Sequence, residues 1–245
     1  MIANPFVIIL CCLAIPLQAQ AKGNESGNSF SKAKKILHTK VHAGHRITFY
    51  AGCEYNAKKQ VDWSSCGFTP RKRPKRAARV EWEHVMPAWE FGHQMQCWHK
   101  STYINRKGIE KKIGARKNCI KTEPAFVRME SDMHNLRPAV GELNGDRSNY
   151  RFGMVNGEPR KYGQNVDFEV DFKQRVAEPA PNVRGDIART YFYMAKEYGV
   201  RIGKKQMRLF RVWNKQDPVD AWEKERMCRI AKIQGNTNSF IGTCK

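Results

Sequence analysis

Acidic side chains are scarce in this chain: 23 Asp and Glu stand against 44 Lys and Arg, a formal net charge of +21. Long apolar runs are scarce too. Beyond the first 21 residues no segment approaches the about 18 apolar residues that a membrane helix needs, which excludes an integral membrane protein once that segment is removed. Past Cys11-Cys12 there is no C-x-x-C and no paired cysteine spacing, which argues against a structural zinc site. The absence of H-E-x-x-H removes the commonest zinc protease. No internal repeat is visible.

The start of the chain is built differently. Phe6 to Leu17 is almost wholly apolar and uncharged, and Ala19-Gln20-Ala21 gives the small-x-small pattern of a cleavage site. Residues 1–21 therefore read as a signal peptide, although a basic segment before the apolar run is missing. A lipoprotein anchor at Cys11 or Cys12 is the alternative, but neither follows Gly or Ala. Residues 22–29, rich in Gly, Asn and Ser, read as a flexible leader.

Export changes what the cysteines mean. Six remain after the leader: Cys53, Cys66, Cys97, Cys119, Cys228 and Cys244. An even number in an oxidising compartment points to three disulfides. Sequence neighbours suggest Cys53–Cys66, Cys97–Cys119 and Cys228–Cys244, while other connectivities stay open. Each such bridge would close a short loop, worth roughly 3 kcal/mol in the chain-entropy account. The positive charge survives removal of the leader and attracts polyanions. Nucleic acid leads as partner, with anionic lipid or lipopolysaccharide as the plainer alternative.

Periodicity predicts a helix over 31–41, a strand over 80–85 ended by Pro87, and a half-buried strand over 166–172. Further helices are expected over 186–198, 204–215 and 219–234, with Gly235 as a C-cap. Two basic stretches, 70–79 and 98–121, read as loops. The first contains Arg71, Lys72, Arg73, Lys75, Arg76 and Arg79, and its two prolines speak against helix or central strand. Residues 124–142 suggest helices broken near Pro138. The sum is an α+β single domain over 30–245 with a helical C-terminal part.

Two segments can carry chemistry: Glu81-Trp82-Glu83-His84-Val85-Met86-Pro87 and Met129-Glu130-Ser131-Asp132-Met133-His134-Asn135-Leu136. Phosphodiester hydrolysis needs an activated water and compensation for charge on the phosphate. A histidine base and a hard cation supply them. Glu83 and Asn135 are the oxygen-bearing types that magnesium prefers, and His84 is the candidate base. Adjacent strand residues point to opposite faces, so Glu83 and His84 converge only if the strand ends or bulges there. The plain readings are a structural histidine, a surface ion pair for Glu83 and a helix N-cap for Asn135. His93 and His134 read as structural, and Trp82, Trp89 and Trp98 as core residues rather than stacking platforms.

At these strings the chain resembles bacterial endonuclease I, a periplasmic or secreted nuclease family with a ββα-metal active site. The match continues through Arg79-Val80, Pro87-Ala88-Trp89, Phe91-Gly92-His93-Gln94, Arg116-Lys117-Asn118-Cys119 and Asn144-Gly145-Asp146-Arg147-Ser148-Asn149. It reappears at Tyr162-Gly163-Gln164, Arg184-Gly185, Ala188-Arg189-Thr190-Tyr191 and Gln234-Gly235-Asn236. The resemblance implies a non-sequence-specific endonuclease acting on DNA and RNA by a one-metal mechanism and leaving 5′-phosphate ends. It gives His84 the role of general base, Glu83 and Asn135 that of metal ligands, and Arg116 that of phosphate stabiliser. Magnesium is the implied metal, with manganese or calcium as alternatives. Arg71, Arg73, Lys75, Arg76, Arg79 and Lys117 are candidate substrate contacts, and a monomer is the default.

The chain also departs from that family. Ala51 and Asn165 stand where it carries cysteines, and Lys224 at a third such place, with Cys228 one helical turn later. One bridge lost and one shifted is the simplest account. A lysine- and arginine-rich insertion lies between Cys97 and Arg116. The competing classes are a basic nucleic-acid-binding protein without activity and a different exported hydrolase.

Overall fold

A computed structural model describes residues 23–99, 102–157 and 159–244; the expected signal peptide lies outside them. The elements in chain order are α1 (Phe30–Ile36), continued by a wider turn over Leu37–Val41, α2 (Pro74–Ala77) and β1 (Val80–His84). Then come α3 (Ala88–Gly92), α4 (Gln96–His99), the strands β2 (Thr102–Ile104) and β3 (Glu110–Lys112), α5 (Ala115–Thr122) and α6 (Pro124–Glu130). They are followed by β4 (Leu136–Val140), α7 (Gly141–Arg147), β5 (Arg151–Phe152), β6 (Phe168–Asp171) and β7 (Val176–Pro179). The chain closes with α8 (Arg184–Tyr198), α9 (Lys204–Gln216) and α10 (Ala221–Gln234). This is the expected mixed α+β domain with a helical C-terminal part. Among the described residues no helix is long and apolar enough to cross a membrane.

β1 and β4 pair antiparallel, with Glu83 opposite Arg137 and His84 opposite Leu136. The chain leaves β4 directly into α7. Two apolar cores pack around this pair: a larger one, which includes Ala139 and Val140, and a smaller one, which includes Leu37, Val41, Trp82, Met133, Leu136 and Ile230. α10 reaches that smaller core through Ile230 and is stopped by Gly235 at φ 90°, the expected left-handed cap.

Several expectations are corrected. Pro138 does not break a helix but sits within β4, opposite Trp82. At such a position the missing N–H costs no ladder bond if it points outward, and the Pro138 carbonyl indeed accepts from Phe49 N on that outer side. Pro74 opens α2 at a first-turn position, where a lost N–H is harmless. The basic stretch 98–121 is not loop throughout but holds a hairpin (β2–β3) and α5. The stretch 22–29 is docked from Gly23 onward rather than free. Asn24 is buried, donates to Ser131 Oγ at 3.0 Å, and its backbone N–H donates to Tyr198 Oη at 2.7 Å. Polar composition suggested solvent, but Gly23, Asn24 and Ser26 find protein partners instead.

Three disulfides join Cys53 to Cys66, Cys97 to Cys119 and Cys228 to Cys244. Ala51 and Asn165 line one cavity.

Candidate active site

A cleft of about 800 Å³ opens beside the end of β1. Glu83 and His84 both line it, together with Phe30 and Lys34 of α1, Lys59, Glu81, Trp89, Arg116 of α5 and Asn144 of α7. The two adjacent residues leave the strand toward different neighbours, as alternation requires. They still share one cleft because β1 ends at His84. Arg147 enforces that ending, donating from Nη1 to the His84 carbonyl at 3.0 Å and from Nη2 to the Val85 carbonyl at 2.7 Å. Those carbonyls are thereby unavailable to a further strand.

Glu83 is buried, accepts from Tyr50 Oη at 2.9 Å and pairs with Arg147 Nη1 at 3.0 Å. Burial pushes its carboxyl up to about 7 against the pull of Arg147 and Tyr50. His84 Nε2 lies 2.8 Å from the Glu130 carbonyl. A carbonyl only accepts, so the neutral ring carries its proton on Nε2 and keeps Nδ1 as its acceptor. Burial, and then Arg116, pushes the imidazole down to about 3, which holds it neutral. The ring is sandwiched by aromatic neighbours: Phe30 stacks at 4.9 Å between centroids, and Phe91 meets it edge-on at 6.2 Å.

Glu130 holds two groups at once. Its carbonyl orients His84, and its buried carboxylate accepts from Arg116 Nε at 2.6 Å. The guanidinium is therefore aimed along the cleft wall while its remaining donors stay open to solvent, its side chain being 43% exposed.

Asn135 does not reach the cleft. Its side chain has no exposure, Oδ1 accepts from Met86 N at 2.8 Å and Nδ2 donates to Met86 O at 3.0 Å. This amide is spent on the backbone of Met86 and is not among the residues that line the cleft. Two amides do line the cleft: Asn149, whose Oδ1 accepts from Arg175 Nη2 at 3.2 Å, and Asn144, whose Nδ2 donates to Glu81 Oε2 at 3.0 Å. That bond leaves Oδ1 unengaged among the described residues. It sits on α7, packed so closely on α2 that a Cβ at the neighbouring Gly145 would fall 2.1 Å from Arg76 Nη1. Asn144 could have been noticed within the Asn144-to-Asn149 string, but nothing in the sequence ranks one asparagine above another.

The basic run is dispersed. Arg71 pairs with Asp146 at 2.9 Å, and Arg76 and Arg79 both pair with Glu81, at 2.6 and 3.0 Å. Neither these three nor Arg73 and Lys75 line the cleft, and Lys117 lies exposed outside it. The cations that do line it, Lys34, Lys35, Lys59 and Arg116, come mostly from segments with no distinguishing sequence signal. Trp82 is buried, as expected. Trp89 is 46% exposed and stacks on His93 at 4.2 Å, so it is a rim residue rather than a core one. His134 is buried against Tyr193, with Nε2 3.0 Å from the Asn236 carbonyl.

The donors that could hold a metal here are the Glu83 carboxylate and the Asn144 amide oxygen. Both are hard oxygens, suited to a cation such as magnesium that keeps several waters. Among the described residues no three His, Cys, Asp or Glu group into a cage.

The comparisons agree with the strings quoted above. The family model described as Endonuclease I matches residues 18–244. A "Periplasmic deoxyribonuclease" of Aeromonas hydrophila is 50% identical over 94% of this chain and 90% of its own length. An "Extracellular deoxyribonuclease" of the same organism is 48% identical over 96% of each. A more distant relative, an "Extracellular ribonuclease" of Bacillus amyloliquefaciens, is 35% identical over 45% of this chain and 43% of its own length.

Proposed function

The chain belongs to the endonuclease I family and is a phosphodiester-cleaving nuclease, and on that premise we propose a metal-dependent, non-sequence-specific endonuclease with His84 as general base. The observation that carries the reading is the His84 ring, held neutral by burial and tied through Nε2 to the Glu130 carbonyl, in one cleft with Glu83, Asn144 and Arg116.

Nδ1 of His84 takes the proton of the attacking water. Arg116, fixed by Glu130, meets the phosphate oxygens as charge builds on them. An incoming phosphate neutralises Arg116 and so removes one of the pressures that depress His84, raising its basicity as substrate binds. Glu83 and Asn144 would hold a divalent cation in the frame of β1, β4 and α7, replacing the expected pair Glu83 and Asn135. Magnesium fits these oxygens; manganese or calcium could occupy them too. When bound, the cation supplies Lewis-acid stabilisation of the phosphate and the leaving oxygen. Attack on the phosphate with departure of the 3′ oxygen leaves 5′-phosphate ends.

The substrate is DNA, in line with the deoxyribonuclease relatives, and also RNA, in line with the distant ribonuclease. A grip on phosphates rather than bases suits a cleft lined by Lys34, Lys35, Lys59 and Arg116. Residues 1–21 serve as the signal peptide and 30–245 form one nuclease domain, working as a monomer in the periplasm or outside the cell. The three disulfides and the periplasmic and extracellular relatives support that location.

Digestion of supercoiled plasmid by the oxidised mature protein and by His84→Ala, with magnesium or with chelator, tests the reading. Metal-dependent degradation by the native protein, with binding but no cutting by His84→Ala, is expected. A native protein that retards the plasmid without nicking it would instead be a nucleic-acid-binding protein without activity.

A further inference from the structure

The β2–β3 hairpin is a sheet of two short strands to which no third strand is joined among the described residues. Its turn is ordered by Asn105, whose Oδ1 accepts from the backbone N–H of Lys107 at 2.9 Å and of Ile109 at 3.0 Å. Arg106 and Lys107 occupy that turn, and Lys111 and Lys112 lie on β3. All four are exposed, and none pairs with an acid among the described residues. Ahead of the hairpin in the chain, α4 is fastened to α5 by the Cys97–Cys119 bridge and by Asn118 Nδ2, which donates to the Cys97 carbonyl at 2.7 Å. Higher up, Lys121 of α5 lies 3.7 Å over the Tyr103 ring. The first turn of α5 carries Arg116, which lines the cleft.

We propose that the hairpin is a second phosphate-binding surface, which grips the sugar–phosphate backbone of the substrate beyond the cleft. The proposal rests on the nuclease reading for the identity of the polyanion. Four unpaired cations on a backbone ordered by strand pairing and by the Asn105 turn lose little backbone freedom on meeting a polyanion, and each phosphate they neutralise releases counterions. β3 ends at Lys112 and α5, which carries Arg116 in its first turn, begins at Ala115, so a strand leaving the cleft past Arg116 has the hairpin cations next to it in the chain.

The test uses the oxidised mature protein, a long DNA duplex in chelator for binding, and a tetranucleotide with magnesium for cleavage. The quadruple variant Arg106→Gln, Lys107→Gln, Lys111→Gln, Lys112→Gln should bind the duplex with a slope of log affinity against log salt shallower by roughly three to four. It should cut the tetranucleotide, which fills only the cleft, at the native rate. A control variant, Lys204→Gln, Lys205→Gln, Arg208→Gln, Arg211→Gln, removes as much charge from exposed positions of α9 that do not line the cleft. It should change the slope far less. An unchanged slope in the hairpin variant, or equal changes in both variants, overturns the proposal. So does an intact DNA slope with lost binding to anionic phospholipid vesicles, which would make the hairpin a membrane-facing surface. Failure of the native protein to cut either substrate would instead refute the nuclease reading, and the binding comparison would still decide the role of the hairpin.

Discussion

The ring of Phe30 lies 4.9 Å from that of His84, with 27° between the two planes. The same Phe30 ring lies 5.4 Å beneath the guanidinium of Arg116. One side chain at the start of α1 therefore touches both groups proposed to act on the phosphate, although it carries no chemistry of its own.

Removing that ring should loosen both. Phe30→Ala is expected to lower kcat about 10- to 100-fold, the scale on which small misplacements act, with KM changed far less. Phe30→Tyr should retain most of the activity. Steady-state kinetics on a defined oligonucleotide checks this, and a kcat for Phe30→Ala equal to that of the native protein would deny the ring a positioning role.

The two asparagines should separate cleanly. Asn135→Ala leaves two backbone groups of Met86 without partners and should destabilise the fold by about 1–3 kcal/mol. Asn144→Ala should melt near the native temperature yet require at least about tenfold more magnesium. Thermal melts and metal titrations of both variants decide it. A destabilised Asn144→Ala with a native metal requirement would return this residue to a purely structural part.

Arg147 is fully buried and pairs with the buried Glu83. Arg147→Leu leaves that carboxylate without its counter-charge and should destabilise by about 3–5 kcal/mol. Adding Glu83→Gln should restore much of the loss. Urea denaturation of the single and double variants measures the coupling; strictly additive effects would show that the pair contributes nothing as a pair.

The contribution of the buried histidines to stability should fall in mild acid. Burial, and then Arg226, holds His42 well below the ordinary 6.5, and burial likewise lowers His134. Below 6.5 the unfolded chain takes up protons that the folded imidazoles refuse. The stability present above 6.5 therefore declines as pH drops, by up to about 1.4 kcal/mol per pH unit for each group. Burial raises the carboxyls of Glu83, Glu169 and Glu223 to about 7, which acts in the opposite sense over the same window. The histidine part is therefore read as the difference between native and His42→Gln urea midpoints, which should shrink in favour of the variant from pH 7.5 to pH 5. A difference that does not change with pH would mean that His42 ionises freely inside the fold.

Much of this molecule is written locally. Charge, cysteine parity, the strand through Glu83 and His84 and the C-terminal helices depend on composition and short-range periodicity, and each is legible in the sequence. Other features are long-range. Asn135 and Asn144 are chemically identical, and what separates them is which one Met86 engages and which one faces the cleft. The run from Arg71 to Arg79 looks like a single basic patch in sequence. In three dimensions Asp146 takes Arg71 and Glu81 takes Arg76 and Arg79, while Lys34, Lys35 and Lys59 come to the cleft from elsewhere. The kinds of side chain available, and most of the elements that carry them, follow from local sequence. Which amide was free and which cations remained unpaired was decided only by tertiary packing, because burial and pairing depend on neighbours far apart in the chain.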